Sequence, residues 1–141
     1  MSARNTGTGA VLEAMVLPAL RRGGYAWQTQ VNIGTRFGGG RHFVDVIATA
    51  ADGRHILVSL KWQQVSGTAE QKVPFEAMCL AEAVRTSDGG YAGAHLVLGG
   101  PGWKLREFFT GGGLEAHLRF SELVNIVTLE AFIADANRGR L

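Results

Sequence analysis

Cysteine is nearly absent from this chain. Cys79 is the only one in 141 residues, so no disulfide framework and no cysteine-based zinc site can be built. It sits in an apolar helical pattern and reads as a small core residue. Lysine is also scarce, with three against eleven arginines, and the formal net charge is only +2. Composition alone therefore supplies no general attraction to a polyanion, and any grip on nucleic acid must come from local clusters. The arginine bias has two readings: bidentate contacts to phosphates and bases, or GC-rich coding.

Other absences narrow the field. No apolar run reaches the roughly 20 residues of a membrane-spanning helix. The first residues lack the basic start, apolar stretch and small-residue cleavage site of a leader, so a cytoplasmic protein is expected, and a bacterial or phage product would fit. The four histidines are scattered and no pair has zinc-site spacing. There is no Gly-x-Ser-x-Gly elbow for a nucleophilic triad, and Gly99-Gly-Pro-Gly-Trp-Lys104 lacks the spacing of a phosphate-binding Walker loop. The length suits one domain over residues 1–141 with a single sizeable core, residues 1–7 being read as flexible.

What is present alternates helix and strand signals. Val11, Leu12, Met15, Val16, Ala19 and Leu20 recur at helical spacing. Thr8 is the candidate cap, Gly23-Gly24 the stop, and Pro18 bends the helix between them. Residues 25–33 alternate as a strand. The loop Gly34-Thr-Arg-Phe-Gly-Gly-Gly-Arg41 is either a flexible hairpin connection or a segment built to approach a phosphodiester backbone closely. Two apolar strands follow, residues 42–48 and 55–63, joined by a tight turn at Asp52-Gly53. Thr68-Ala-Glu-Gln71 has capping-box spacing and opens a helix running to about Thr86, kinked or restarted at Pro74. That helix is apolar nearly all round and should pack beneath other elements. A buried-type strand at 94–98, a short helix within 103–110, a helical segment at 114–120, a strand at 124–127 and a helix at 129–137 capped by Thr128 complete the chain. The order α-β-β-β-α-β-α-β-α predicts an α/β fold, a mixed sheet with helices on both faces.

The chemistry is expected on the central hairpin. Asp45 interrupts the first apolar strand and Lys61 the second, and period-2 alternation puts Ser59, Lys61 and Gln63 on one face. A buried acid and a buried base are costly unless paired or bound to something. They form either a structural ion pair or a catalytic site. In the second case the carboxylate would hold a hard divalent cation, and the lysine would orient water and offset developing charge.

The run from Thr8 to Leu98 resembles the PD-(D/E)XK nuclease superfamily, which includes restriction endonucleases and Holliday-junction resolvases. The resemblance rests on a helix carrying Glu13, then Gly24-Tyr25 and a strand, the Gly/Arg loop, Phe43-Val44-Asp45-Val46-Ile47, Ile56-Leu57-Val58-Ser59-Leu60-Lys61, and a following helix with Gln71 near its start. It implies a restriction-endonuclease-like core and a magnesium-dependent DNA endonuclease, with manganese able to substitute. The setting would be restriction, recombination or phage replication. By the same resemblance Asp45 matches the metal-binding acid and Lys61 the catalytic lysine. Glu13 matches the acid many members keep on the first helix, and the Leu60 carbonyl a further metal ligand. Gln63 and Gln71 would touch DNA or metal-bound water. The departure is Ser59, where the family's second carboxylate belongs; Glu13 and Glu70 are the candidates to replace it. Arg36, Arg41 and Lys72 are the expected phosphate contacts, and a homodimer is expected for cutting two strands. The rival implication is a degenerate nuclease-fold module that binds DNA or a partner without cleaving.

Overall fold

The structure, a computed structural model, describes residues 6–141. The expected flexibility of residues 1–7 falls mostly outside them. Five strands form one sheet in sequential order: β1 (Ala26–Thr35), β2 (Arg41–Thr49), β3 (His55–Trp62), β4 (Gly93–Gly99) and β5 (Val124–Thr128). The first three are antiparallel neighbours, and β3, β4 and β5 run parallel. Parallel strands require crossovers. The first is α3 (Ala69–Arg85), and the second carries the short α4 (Arg106–Thr110) and two 3-10 turns. Because β4 is covered on both faces, Ala94 to Leu98 are all buried and apolar except His95, which is buried as well.

Two cores sandwich the sheet. On one face α1 (Thr6–Val11), a π-helical turn (Leu12–Val16), α2 (Leu17–Arg22) and α5 (Leu129–Asn137) pack Leu12, Val16, Leu20 and Phe132 onto Val46, Val58 and Leu60. On the other, α3 and α4 set Val73, Leu80 and Phe109 against Leu57, Leu96 and Leu98. Fully buried side chains such as Leu20 and Phe132 each contribute about 1.5–3 kcal/mol relative to exposure.

Several local expectations need correction. Thr8 lies inside α1, which begins at Thr6. The first helix does not bend as a regular helix: Pro18 has no N–H to return to Ala14, and just upstream the chain winds as a π turn, with Leu17 N–H donating to Leu12 O. Thr68 precedes α3 but its hydroxyl makes no capping bond, and Pro74 does not interrupt the helix. Residues 114–120 hold only the 3-10 turn Gly113–Ala116, followed by Phe120 in the left-handed region at φ 61. Thr128 does cap α5, accepting from Ala131 N–H at 3.1 Å.

The sheet forks at Asp45. Pairing of β1 with β2 runs in one register from Ala26↔Thr49 to Asn32↔Phe43, omitting Gln30 and Asp45, and resumes at Thr35↔Arg41 after a register shift; Gln30 has φ 53. Val46 and Ala48 belong to the first core, whereas Val44, of the same parity, belongs to the second. The strand thus changes faces at Asp45, opposite Gln30 in its left-handed backbone conformation, while the β1–β2 register runs on unchanged through it. Meanwhile β2 and β3 pair only from Val46↔Val58 to Thr49↔His55. Beyond Val46, β2 follows β1; beyond Val58, β3 follows β4.

Candidate active site at the fork of the sheet

Continued one hydrogen-bonded rung further, the β2–β3 ladder would set Leu60 against Val44. The Asp45 carboxylate replaces that rung, its Oδ2 accepting from Leu60 N–H at 2.6 Å. A residue's N–H and C=O leave a strand on the same side, so the Leu60 carbonyl also faces the fork. Gln30 Nε2 approaches Asp45 Oδ1 at 3.5 Å, the outer limit of a hydrogen bond. Burial pushes the Asp45 carboxyl above its ordinary value, against the opposing pull of the Leu60 N–H and the Lys61 ammonium; Glu76 adds to the upward push.

Glu76 is the residue that sequence reasoning missed. It stands on α3 with only 3 % of its surface exposed. Arg36 donates to its Oε1 through Nε at 3.2 Å and Nη2 at 3.0 Å, and His42 Nε2 lies 3.0 Å from Oε2. Burial alone would raise the Glu76 carboxyl. The His42 hydrogen bond, with the charges of Lys61, His42 and Arg36, outweighs it and holds the group below its ordinary value. An ionised carboxylate only accepts, so His42 Nε2 is the donor. A signal was available: Val73, Glu76, Ala77 and Leu80 share one helical face, so an acid occupied a core position of α3.

Asp45, Lys61 and Glu76 therefore act on one another electrostatically, and Ser59 is buried on the strand two residues before the half-buried Lys61. Among the described residues, no group of three or more His, Cys, Asp or Glu side chains is placed to hold a metal ion. Glu13 is exposed, on the π turn that packs over the opposite core. Glu70 is buried and already used. Its Oε2 accepts from Lys104 N–H at 2.7 Å and Gln63 Nε2 at 3.2 Å, and its Oε1 from Leu105 N–H at 3.0 Å.

Gln63 likewise braces the β4–α4 loop instead of projecting from a strand. Its Nε2 donates to Gly102 O at 2.9 Å, and its own C=O accepts from Gly102 N–H at 2.9 Å. The expectation that Arg36 grips DNA also needs revision. Besides Glu76, its guanidinium donates to Arg41 O at 2.8 Å, which spends it inside the fold. Arg41, Gln71 and Lys72 are exposed.

The groups that could hold a metal here, Asp45, Glu76 and the Leu60 carbonyl, all offer hard oxygens. That set suits magnesium or manganese, which are commonly held by one or two carboxylates, with waters and substrate phosphate oxygens completing the shell.

A sheet with an Asp and a Lys meeting at its fork, covered by helices on both faces, is the architecture of a restriction-endonuclease-like nuclease core. The sequence profile of the PD-(D/E)XK nuclease superfamily domain matches residues 4–140, and the chain belongs to that superfamily. No curated protein sequence matches it. Among solved structures it is similar to a protein of unknown function, AF1548, at 13% identity and TM-score 0.47, over 80% of this chain and 54% of that one. It is also similar to a repair endonuclease from Pyrococcus abyssi, at 14% identity and TM-score 0.43, over 91% of this chain and 46% of that one. The chain thus spans about half the length of each. No helix among the described residues is long and apolar enough to cross a membrane.

Proposed function

We propose that the chain is a magnesium- or manganese-dependent DNA endonuclease whose catalytic centre is Asp45, Lys61 and Glu76. The observation that carries this reading is the Asp45 carboxylate seated on Leu60 N–H where β2 and β3 part, with Lys61 the next residue of β3. Glu76, arriving from α3, supplies the second acid that the strand lacks at Ser59. Asp45, Glu76 and the Leu60 carbonyl would hold the metal, which when bound supplies charge stabilisation and a more acidic water. Lys61 would orient the attacking water and offset charge gathering on the phosphate oxygens. Leu60 N–H keeps the Asp45 carboxylate aimed by occupying Oδ2. Arg41 and Lys72 would meet the backbone phosphates, with Gln71 beside them at the start of α3. A homodimer would place two such sites on the two strands of a duplex.

Purified protein with magnesium or manganese should nick or cut DNA, and Asp45→Asn or Lys61→Ala should abolish cleavage. Undiminished cutting by both variants would refute the assignment. One observation favours the non-catalytic reading: Glu76 is already held by three N–H donors. That reading predicts salt-sensitive DNA binding with no cleavage in either metal.

A further inference from the structure

The β1–β2 hairpin and α3 are fastened together at a single carboxylate. Arg36 comes from the start of the Gly-rich connection, His42 from β2 three residues before Asp45, and both end on Glu76. His42 is 1% exposed and Glu76 3%, so neither group is there to meet solvent. A carboxylate offers about four acceptor positions. Two N–H donors from Arg36 occupy Oε1 and one from His42 occupies Oε2, which leaves one acceptor position on Oε2. Lys61 acts electrostatically on the same carboxylate, and Glu76 in turn on Asp45.

We propose that His42 and Arg36 are positioning residues that orient the Glu76 carboxylate so that its remaining Oε2 acceptor position serves the divalent cation. This inference rests on the metal-dependent reading above and assigns roles that the family likeness did not supply. Two donors on one oxygen and one on the other restrain the buried Glu76 carboxylate, so much of the entropic cost of immobilising it for a metal is already met by folding. The Gly-rich connection gains a role too: it delivers Arg36 to the far side of the carboxylate.

The test is Mn2+ binding to the full chain without DNA, followed by electron paramagnetic resonance of free Mn2+. Asp45→Asn is the control for the site, and thermal melts check that each variant is folded. His42→Leu should weaken Mn2+ by about 10- to 100-fold, while His42→Gln, whose amide N–H reaches about as far as Nε2, should stay within about threefold of the parent. Arg36→Met, at a partly exposed side chain, keeps the test alive should His42→Leu fail to fold. Removing the Arg36 cation would by electrostatics alone tighten Mn2+, so weakening has the sign that only positioning predicts. Mn2+ binding that falls with Asp45→Asn but not with His42→Leu or Arg36→Met overturns this proposal and leaves the metal site standing. If the parent protein binds no Mn2+, both are overturned.

Discussion

Glu70 offers a sharp test because it was a natural choice for the missing metal ligand, and the structure gives it a different task. Its two oxygens accept from Lys104 N–H, Leu105 N–H and Gln63 Nε2, pinning the loop between β4 and α4 over the start of α3. Trp103, buried in the same loop, donates Nε1 to Gly99 O at 2.7 Å, so the loop carries core side chains as well as backbone. A hydrogen bond to a charged acceptor is worth about 1.5–3 kcal/mol net. In Glu70→Ala, Gln63 keeps its bond to Gly102, but two backbone donors lose theirs, giving an expected loss of about 3–6 kcal/mol. Against a typical domain stability of roughly 5–15 kcal/mol that is a large share, and the urea midpoint of this variant should fall steeply. Glu70→Gln keeps one acceptor and turns an N–H toward another donor, for a loss of about 2–3 kcal/mol. Urea unfolding followed by circular dichroism reads both. Cleavage assayed in the cold, where Glu70→Gln remains folded, should be preserved. The reasoning fails if Glu70→Gln leaves the urea midpoint unchanged, or if it abolishes cleavage in a protein of undiminished stability.

The other expectations concern the fork and the strand ends. Burial raises the Asp45 carboxyl above 3.8, so its ionisation penalises the folded state above the folded pKa, and the penalty is relieved as pH falls through it. Asp45→Asn should therefore raise the urea midpoint at pH 7, with the gain shrinking in acid. Glu76 lies below its ordinary 4.5, so its contribution is complete above 4.5 and lost as pH falls through the folded pKa. Glu76→Gln should lower the midpoint at pH 7 and converge with the parent in acid; parallel pH profiles for the two variants would contradict both signs. Gly100 has φ 91, and a Cβ there would press on the Gln63 backbone. Gly100→Ala should cost about 2 kcal/mol or more, measurable as a lower melting temperature.

The order of elements was legible from periodicity alone, and the long alternations and Gly/Asp turns located every strand to within two residues. Asp45 and Lys61 were legible because a charge on an apolar strand is conspicuous. Glu76 was passed over, since α3 read as apolar nearly all round and its place on the Val73, Ala77 and Leu80 face does not by itself say what the acid meets. Its partners, Arg36 and His42, lie 40 and 34 residues away in the chain. No local pattern encodes such a pairing. The same holds for Glu70, where an acid near a helix start has many uses and only the returning β4–α4 loop decides among them. The 114–120 segment failed differently: Gly111 to Gly113 and the left-handed Phe120 left too few consecutive helical residues to propagate a helix.

The fork has a mechanical consequence. Past the four residue pairs that join β2 to β3, the outer arm of the hairpin is a cantilever: among the described residues β1 pairs with β2 alone, and β2 no longer pairs with β3. Its root is latched by the Asp45 side chain on Leu60 N–H, and its free end is moored to α3 through Glu76. Asp45→Asn keeps an oxygen for the latch, whereas Asp45→Ala removes it. An inactive alanine variant would therefore confound lost chemistry with a loosened arm, and amide exchange at Leu60 would tell the two apart.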